Sequence, residues 1–155
     1  LLNDNKAFST ADVRRDQLLQ PKKILVVEDD KNMTVLLGKA LLGACNDVEI
    51  QWATSLEQAF THLIQNADIN QKTPYDLIIA DIFLEGKGTG LDLFKVISHT
   101  HPNVPFLVIS SLPSEHVDEA LEGQSRENVT YLKKPFLFSE CKAKVKEIID
   151  HSKAK

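Results

Sequence analysis

The sequence predicts an α/β fold: a doubly wound five-stranded parallel sheet with helices on both faces. Two observations predict it. Short apolar runs alternate along the chain with segments whose apolar residues recur at helical spacing. The most central run, Leu77-Ile78-Ile79-Ala80, is continuous rather than alternating, the pattern of a strand buried on both faces. Regular alternation of strand and helix implies right-handed crossovers, which keep the strands parallel and bring all their carboxyl ends to one edge.

The elements follow in order. Residues 1–21 are polar; Ser9 to Leu19 has a capping pattern and predicts a short helix, read as a linker or extension that Pro21 ends. Lys23 to Val27 is the first strand, stopping at Glu28-Asp29-Asp30. Met33, Leu36, Leu37, Ala40, Leu41 and Ala44 mark an amphipathic helix. Val48, Ile50 and Trp52 alternate with polar residues, as in a half-exposed strand near a sheet edge. Leu56, Ala59, Phe60, Leu63, Ile64 and Ala67 make the second helix, with Ser55 and Gln58 as a capping box. A polar loop, Asp68 to Pro74, leads to the third strand and Asp81, and the turn chemistry of Glu85 to Gly90 follows it. Leu91, Phe94 and Ile97 predict a third helix, and Val104 to Ile109 a fourth strand in which Pro105 is tolerable only near the start. A fourth helix is expected over Ser114 to about Gly123, a fifth strand over Val129 to Leu132, and a last helix from about Ser139 to Asp150.

At 155 residues and 43% apolar content, the chain can bury one core and has no room for a second domain of ordinary size. A net charge of -4 and a pI near 5.7 argue against a nucleic-acid-binding surface; the only basic cluster is the lysine-rich C-terminal helix. Cys45 and Cys141 show neither pairing pattern nor metal-ligand spacing, which predicts reduced thiols and a cytoplasmic setting. No apolar run approaches a membrane span. The chain does not open on Met, so a fragment or processed form is expected. The five histidines are scattered without triad or ligand spacing and read as surface residues.

The chemistry gathers at the strand ends. Glu28-Asp29-Asp30 follows the first strand, Asp81 the third, Ser110 the fourth and Lys134 the fifth. Open α/β sheets place ligands at that edge. Carboxylates crowded there repel one another unless a cation joins them, and a hard divalent ion such as Mg2+ suits the oxygen donors better than zinc, for which no His or Cys is placed.

Together, Val26-Val27-Glu28-Asp29, Asp81, Ser110 and Lys134-Pro135-Phe136 resemble the receiver domain of response regulators in two-component signalling, of the CheY-like superfamily. The resemblance spans about residues 22–152, leaving 1–21 as extension and 153–155 as tail. It implies the flavodoxin-like strand order 2-1-3-4-5. Residue by residue, it implies that Asp81 is the phosphoacceptor and that Asp29, Asp81 and the Phe83 backbone carbonyl ligate Mg2+, with Glu28 holding the ion through water. Ser110 would contact the phosphoryl oxygens, Lys134 would pair with them, and Tyr131 would be the aromatic switch residue. The Lys134-Pro135 bond resembles one that is cis in the family.

The implied partner is a histidine kinase or a His-containing phosphotransfer protein, and the implied role is a signalling module, not an enzyme, with intrinsic Mg2+-dependent self-phosphorylation and autodephosphorylation. The chain would be a stand-alone regulator or the receiver piece of a larger protein, with an unknown downstream partner and no direct nucleic-acid or membrane contact. Glu85 stands where the family usually has Pro, and Ser110 where Thr is commoner. The loop before the third strand and the segment around the fourth helix look longer than usual. Phe83 and Leu112, both bulky and apolar, are expected to lean over Asp81 and slow hydrolysis of its phosphate. Two rivals fit less well. A haloacid-dehalogenase-type phosphatase would have an acid where Phe83 stands, and a pseudo-receiver serving only as an interaction module would not be expected to keep the full acid, hydroxyl and lysine set.

Overall fold

The structure, a computed structural model, describes residue 10 and residues 20–70, 72–82 and 89–153. Apart from Thr10, the expected helix between Ser9 and Leu19 lies outside the described residues. The elements run β1 (Lys22–Val27), α1 (Lys31–Ala44), β2 (Val48–Ala53), α2 (Leu56–Asn66), β3 (Leu77–Asp81), α3 (Gly90–Thr100), β4 (Phe106–Ser110), α4 (Ser114–Ala120), β5 (Val129–Lys133) and α5 (Phe138–Lys153).

All four strand pairings are parallel, in the order β2-β1-β3-β4-β5. The burial of each strand follows from its place. Every residue of β3 and β4 is buried, whereas the edge strands β2 and β5 are mostly half-exposed. Alternation along the strands builds two cores. Ile24, Val26, Leu77, Ile79, Leu107 and Ile109 face α1 and α5, where Leu37, Leu41, Cys141, Val145 and Ile149 complete the packing. Leu25, Val27, Ile78, Ala80, Phe106 and Val108 face α2, α3 and α4 and meet Leu63, Leu93, Phe94, Ile97 and Val117. Phe94 and Phe106 pack edge to face with centroids 5.2 Å apart.

Several boundaries differ from the sequence reading. β4 begins at Phe106 instead of Val104: Pro105 has no N–H to give a ladder, and only its carbonyl joins β3, accepting from Ile78 N–H at 3.0 Å. Helix α4 ends at Ala120, and Gly123, with φ 81°, lies in the turn that follows. Helix α5 is longer than expected at both ends. At α2, Ser55 Oγ accepts from Gln58 N–H at 3.2 Å, but the Gln58 side chain reaches back to Thr54 N–H at 2.8 Å, one residue earlier than a reciprocal box. That reciprocal box occurs at α3 instead. There Thr89 Oγ1 accepts from Asp92 N–H at 3.3 Å and Asp92 Oδ2 from Thr89 N–H at 2.9 Å.

Candidate functional site

At the carboxyl edge the structure brings Glu28, Asp81 and Lys134 together. Glu28 continues the alternation of Ile24 and Val26, and Asp81 that of Leu77 and Ile79, so both carboxylates rise on the α1/α5 side of the sheet. They are 1% and 7% exposed. Two carboxylates this deep are costly without a cation between them. The Lys134 ammonium meets both, donating to Asp81 Oδ2 and, at 3.2 Å, to Glu28 Oε2.

The neighbouring acids divide their work. Asp30 is exposed and caps α1, its Oδ1 accepting from Asn32 N–H at 2.8 Å and Met33 N–H at 3.2 Å, while its own N–H donates to Glu28 Oε1 at 3.1 Å. Asp29 is half-buried between them. Burial, reinforced by the Asp81 charge, raises Glu28 above the usual carboxyl range in spite of the Asp30 amide and Lys134. For Lys134, burial works against the charge, but the Asp81 hydrogen bond and the two carboxylates more than offset it, and its affinity for the proton rises above the ordinary lysine value.

Ser110 and Tyr131 lie on the other face, in step with Val108 and Val129. Ser110 is fully buried, and its Oγ accepts from Leu112 N–H at 3.0 Å, a use that leaves its own hydrogen to donate. The half-buried Tyr131 donates its hydroxyl to the Leu112 carbonyl and, at 3.4 Å, to that of Ser110. Burial and the nearby Glu115 raise its pKa. The backbone joins the two groups: Lys134 N–H donates to the Ser110 carbonyl at 2.8 Å. The Lys134-Pro135 bond is cis.

Phe83, the expected carbonyl ligand, lies outside the described residues, as do Glu85 and the glycines Gly86 and Gly88. Leu112 is half-buried and packs against the core under α2, α3 and α4, so part of its apolar surface is spent there and not on Asp81. The donor set is all oxygen, as a hard cation requires. Among the described residues no three acidic, His or Cys side chains stand as a metal-holding group; Asp30 is committed to α1, and Lys134 stands against both buried carboxylates. Gly90 is the neighbour that the sequence reading treated only as turn and helix start. It is buried, and its N–H donates to the Ile82 carbonyl at 3.0 Å, one residue beyond Asp81. The signal available was a glycine inside the first turn of a helix, where propensity disfavours it.

Comparison with known proteins agrees with this fold. The family model described as the response regulator receiver domain matches residues 24–146. The transcriptional regulatory protein CusR of Escherichia coli is 30% identical over 127 residues, which are 82% of this chain and 51% of CusR. The chain thus spans about half the length of the curated relatives it matches. A CheY-like receiver domain protein from Methanospirillum hungatei superposes with a TM-score of 0.68 at 19% identity, covering 87% of this chain and 98% of that one. A response regulator from Thermotoga maritima gives a TM-score of 0.65 at 23% identity, over 84% and 99% respectively.

Proposed function

The chain belongs to the response regulator receiver domain family, and from that premise we propose that Asp81 accepts a phosphoryl group from a phosphohistidine on a histidine kinase or a His-containing phosphotransfer protein. A carboxylate oxygen of Asp81 attacks the phosphorus, the P–N bond breaks, and the imidazole leaves and takes up a proton. The observation that carries this reading is the contact of the Lys134 ammonium with both Asp81 and Glu28. An anionic nucleophile meets an anionic donor only where positive charge is already in place.

Glu28, Asp29, Asp81 and the Phe83 carbonyl would hold Mg2+, which when bound would offset charge on the transferring oxygens. Lys134 then exchanges part of its pairing with Asp81 for the phosphoryl oxygens. The Ser110 hydroxyl donates to another of them, and Tyr131, already bonded to the Leu112 carbonyl, moves with the Ser110–Leu112 segment. The acyl phosphate adds about two negative charges, which this rearrangement converts into a changed surface for a partner. The receiver unit is taken as 22–152, with 1–21 as extension and 153–155 as tail. Among the described residues no helix is long and apolar enough to cross a membrane.

The test is intact mass after treatment with acetyl phosphate and magnesium. The parent gains one phosphoryl group and Asp81→Asn gains none. Equal labelling of the two would sink the assignment.

A further inference from the structure

We infer that Gly90 is a positioning residue for Asp81: having no side chain, it lets the first turn of α3 bear directly on the peptide that carries the phosphoacceptor, and so fixes that peptide in place. This rests on the reading of Asp81 given above. A Cβ added at Gly90 would lie 1.9 Å from the Asp81 carbonyl oxygen, 2.7 Å from its carbonyl carbon and 3.3 Å from Ile82 Cα. Non-bonded carbon needs roughly 3.5 Å. The crowding atoms are backbone and have no rotamer with which to step aside. Gly90 is not in the left-handed region, so space and not backbone freedom explains the glycine. Gly38 and Gly43 in α1 differ: a Cβ there would meet only side-chain atoms, at 3.5 and 3.4 Å.

Neither side of the contact can yield cheaply. On the strand side, Asp81 pairs with Ile109, and Ile82 N–H donates to the Ile109 carbonyl at 3.1 Å. On the helix side, Gly90 N–H holds the Ile82 carbonyl, and the reciprocal Thr89 and Asp92 bonds fix where α3 begins. Alanine at position 90 must therefore push the end of β3 or the start of α3 by about 1 Å or more. The end of β3 is Asp81, whose carboxylate meets Lys134.

The experiment compares Gly90→Ala with Thr89→Ala in the full chain. Thr89→Ala removes the Oγ1 acceptor of the cap but keeps the Thr89 N–H to Asp92 and Gly90 N–H to Ile82 bonds, so it costs stability without pressing on Asp81. With acetyl phosphate and magnesium, Gly90→Ala, shown folded by circular dichroism, should label ten- to about a hundredfold more slowly than the parent. Thr89→Ala should melt about 2–6 °C lower yet label within about twofold of the parent. Labelling of Gly90→Ala within twofold of the parent, or slowing of both variants in proportion to lost melting temperature, overturns the inference. A parent that takes no phosphoryl group overturns the reading of Asp81 instead, and is recognised by the parent's own failure. Should Gly90→Ala not fold, hydrogen exchange of the parent decides: the Gly90 amide, bonded to the Ile82 carbonyl, should be protected to the same degree as the Ile82 amide at the end of β3, and a Gly90 amide exchanging as in an unfolded chain rules the contact out.

Discussion

Glu28 shows how much one side chain's environment decides. Its charge is held 1% exposed and beside Asp81, and burial leaves its proton harder to remove than in the unfolded chain. A carboxyl whose folded pKa is raised makes its full contribution to stability below its ordinary value of 4.5 and loses it as pH rises through the folded value. Above pH 4.5, in metal-free buffer, the raised affinity of Glu28 for its proton therefore costs the fold stability. Glu28→Gln keeps the shape and removes the charge, and Lys134 keeps Asp81 as its partner. The glutamine variant should melt higher than the parent at pH 7.5, with the gap closing as pH falls towards 4.5. A lower melting temperature for the variant at pH 7.5 would mean that attraction to Lys134 outweighs the burial cost. Lys134 has the same pH direction, with the charged form now the favoured one: its raised value gives stability that is complete below 10.5 and lost as pH rises through the folded value.

The elements explain why three consecutive acids do not do the same work. Glu28 is still in the alternation of β1 and points into the site, whereas Asp30 is the first residue of the next element's cap. Asp30→Ala should cost about 1 kcal/mol of stability, measured by urea unfolding, and leave labelling of Asp81 near that of the parent. Collapse of labelling in this variant would make Asp30 a site acid and not a cap. The apolar runs made the sheet legible, because residues such as Ile78 and Ile79, buried on opposite faces, leave no polar position between them. Periodicity likewise located α1, α2 and α3. What the residues alone did not separate was Asp30 from Glu28, since both are acids after a strand and only the turn geometry assigns one to the helix. Leu112 was legible as bulky and apolar but not as a residue packed on the core under α4, because a loop residue carries no periodicity. Gly90 was hidden for a related reason: a close approach between segments nine residues apart leaves no pattern beyond the glycine itself.

At the scale of the molecule, a sheet one strand thick separates two cores, and the site straddles its edge. Glu28, Asp81 and Lys134 continue the α1/α5 face, whereas Ser110 and Tyr131 continue the face under α2, α3 and α4. Across the site edge, the Lys134 amide reaches the Ser110 carbonyl at 2.8 Å. The sheet backbone between the cores is held by its own ladders, and side chains on opposite faces do not share packing neighbours. Small losses on the two faces should therefore add in the unphosphorylated protein. Ile149 in α5 is 3% exposed and belongs to one core, and Ile97 in α3 is 2% exposed and belongs to the other. Ile149→Val and Ile97→Val should each cost about 0.5–1.5 kcal/mol, and the double variant should equal their sum within about 0.5 kcal/mol. Urea unfolding of the four proteins measures the cycle. A coupling well above that margin would mean that the sheet transmits packing strain from face to face even without a phosphoryl group, and the division of the site into two independent faces would be wrong.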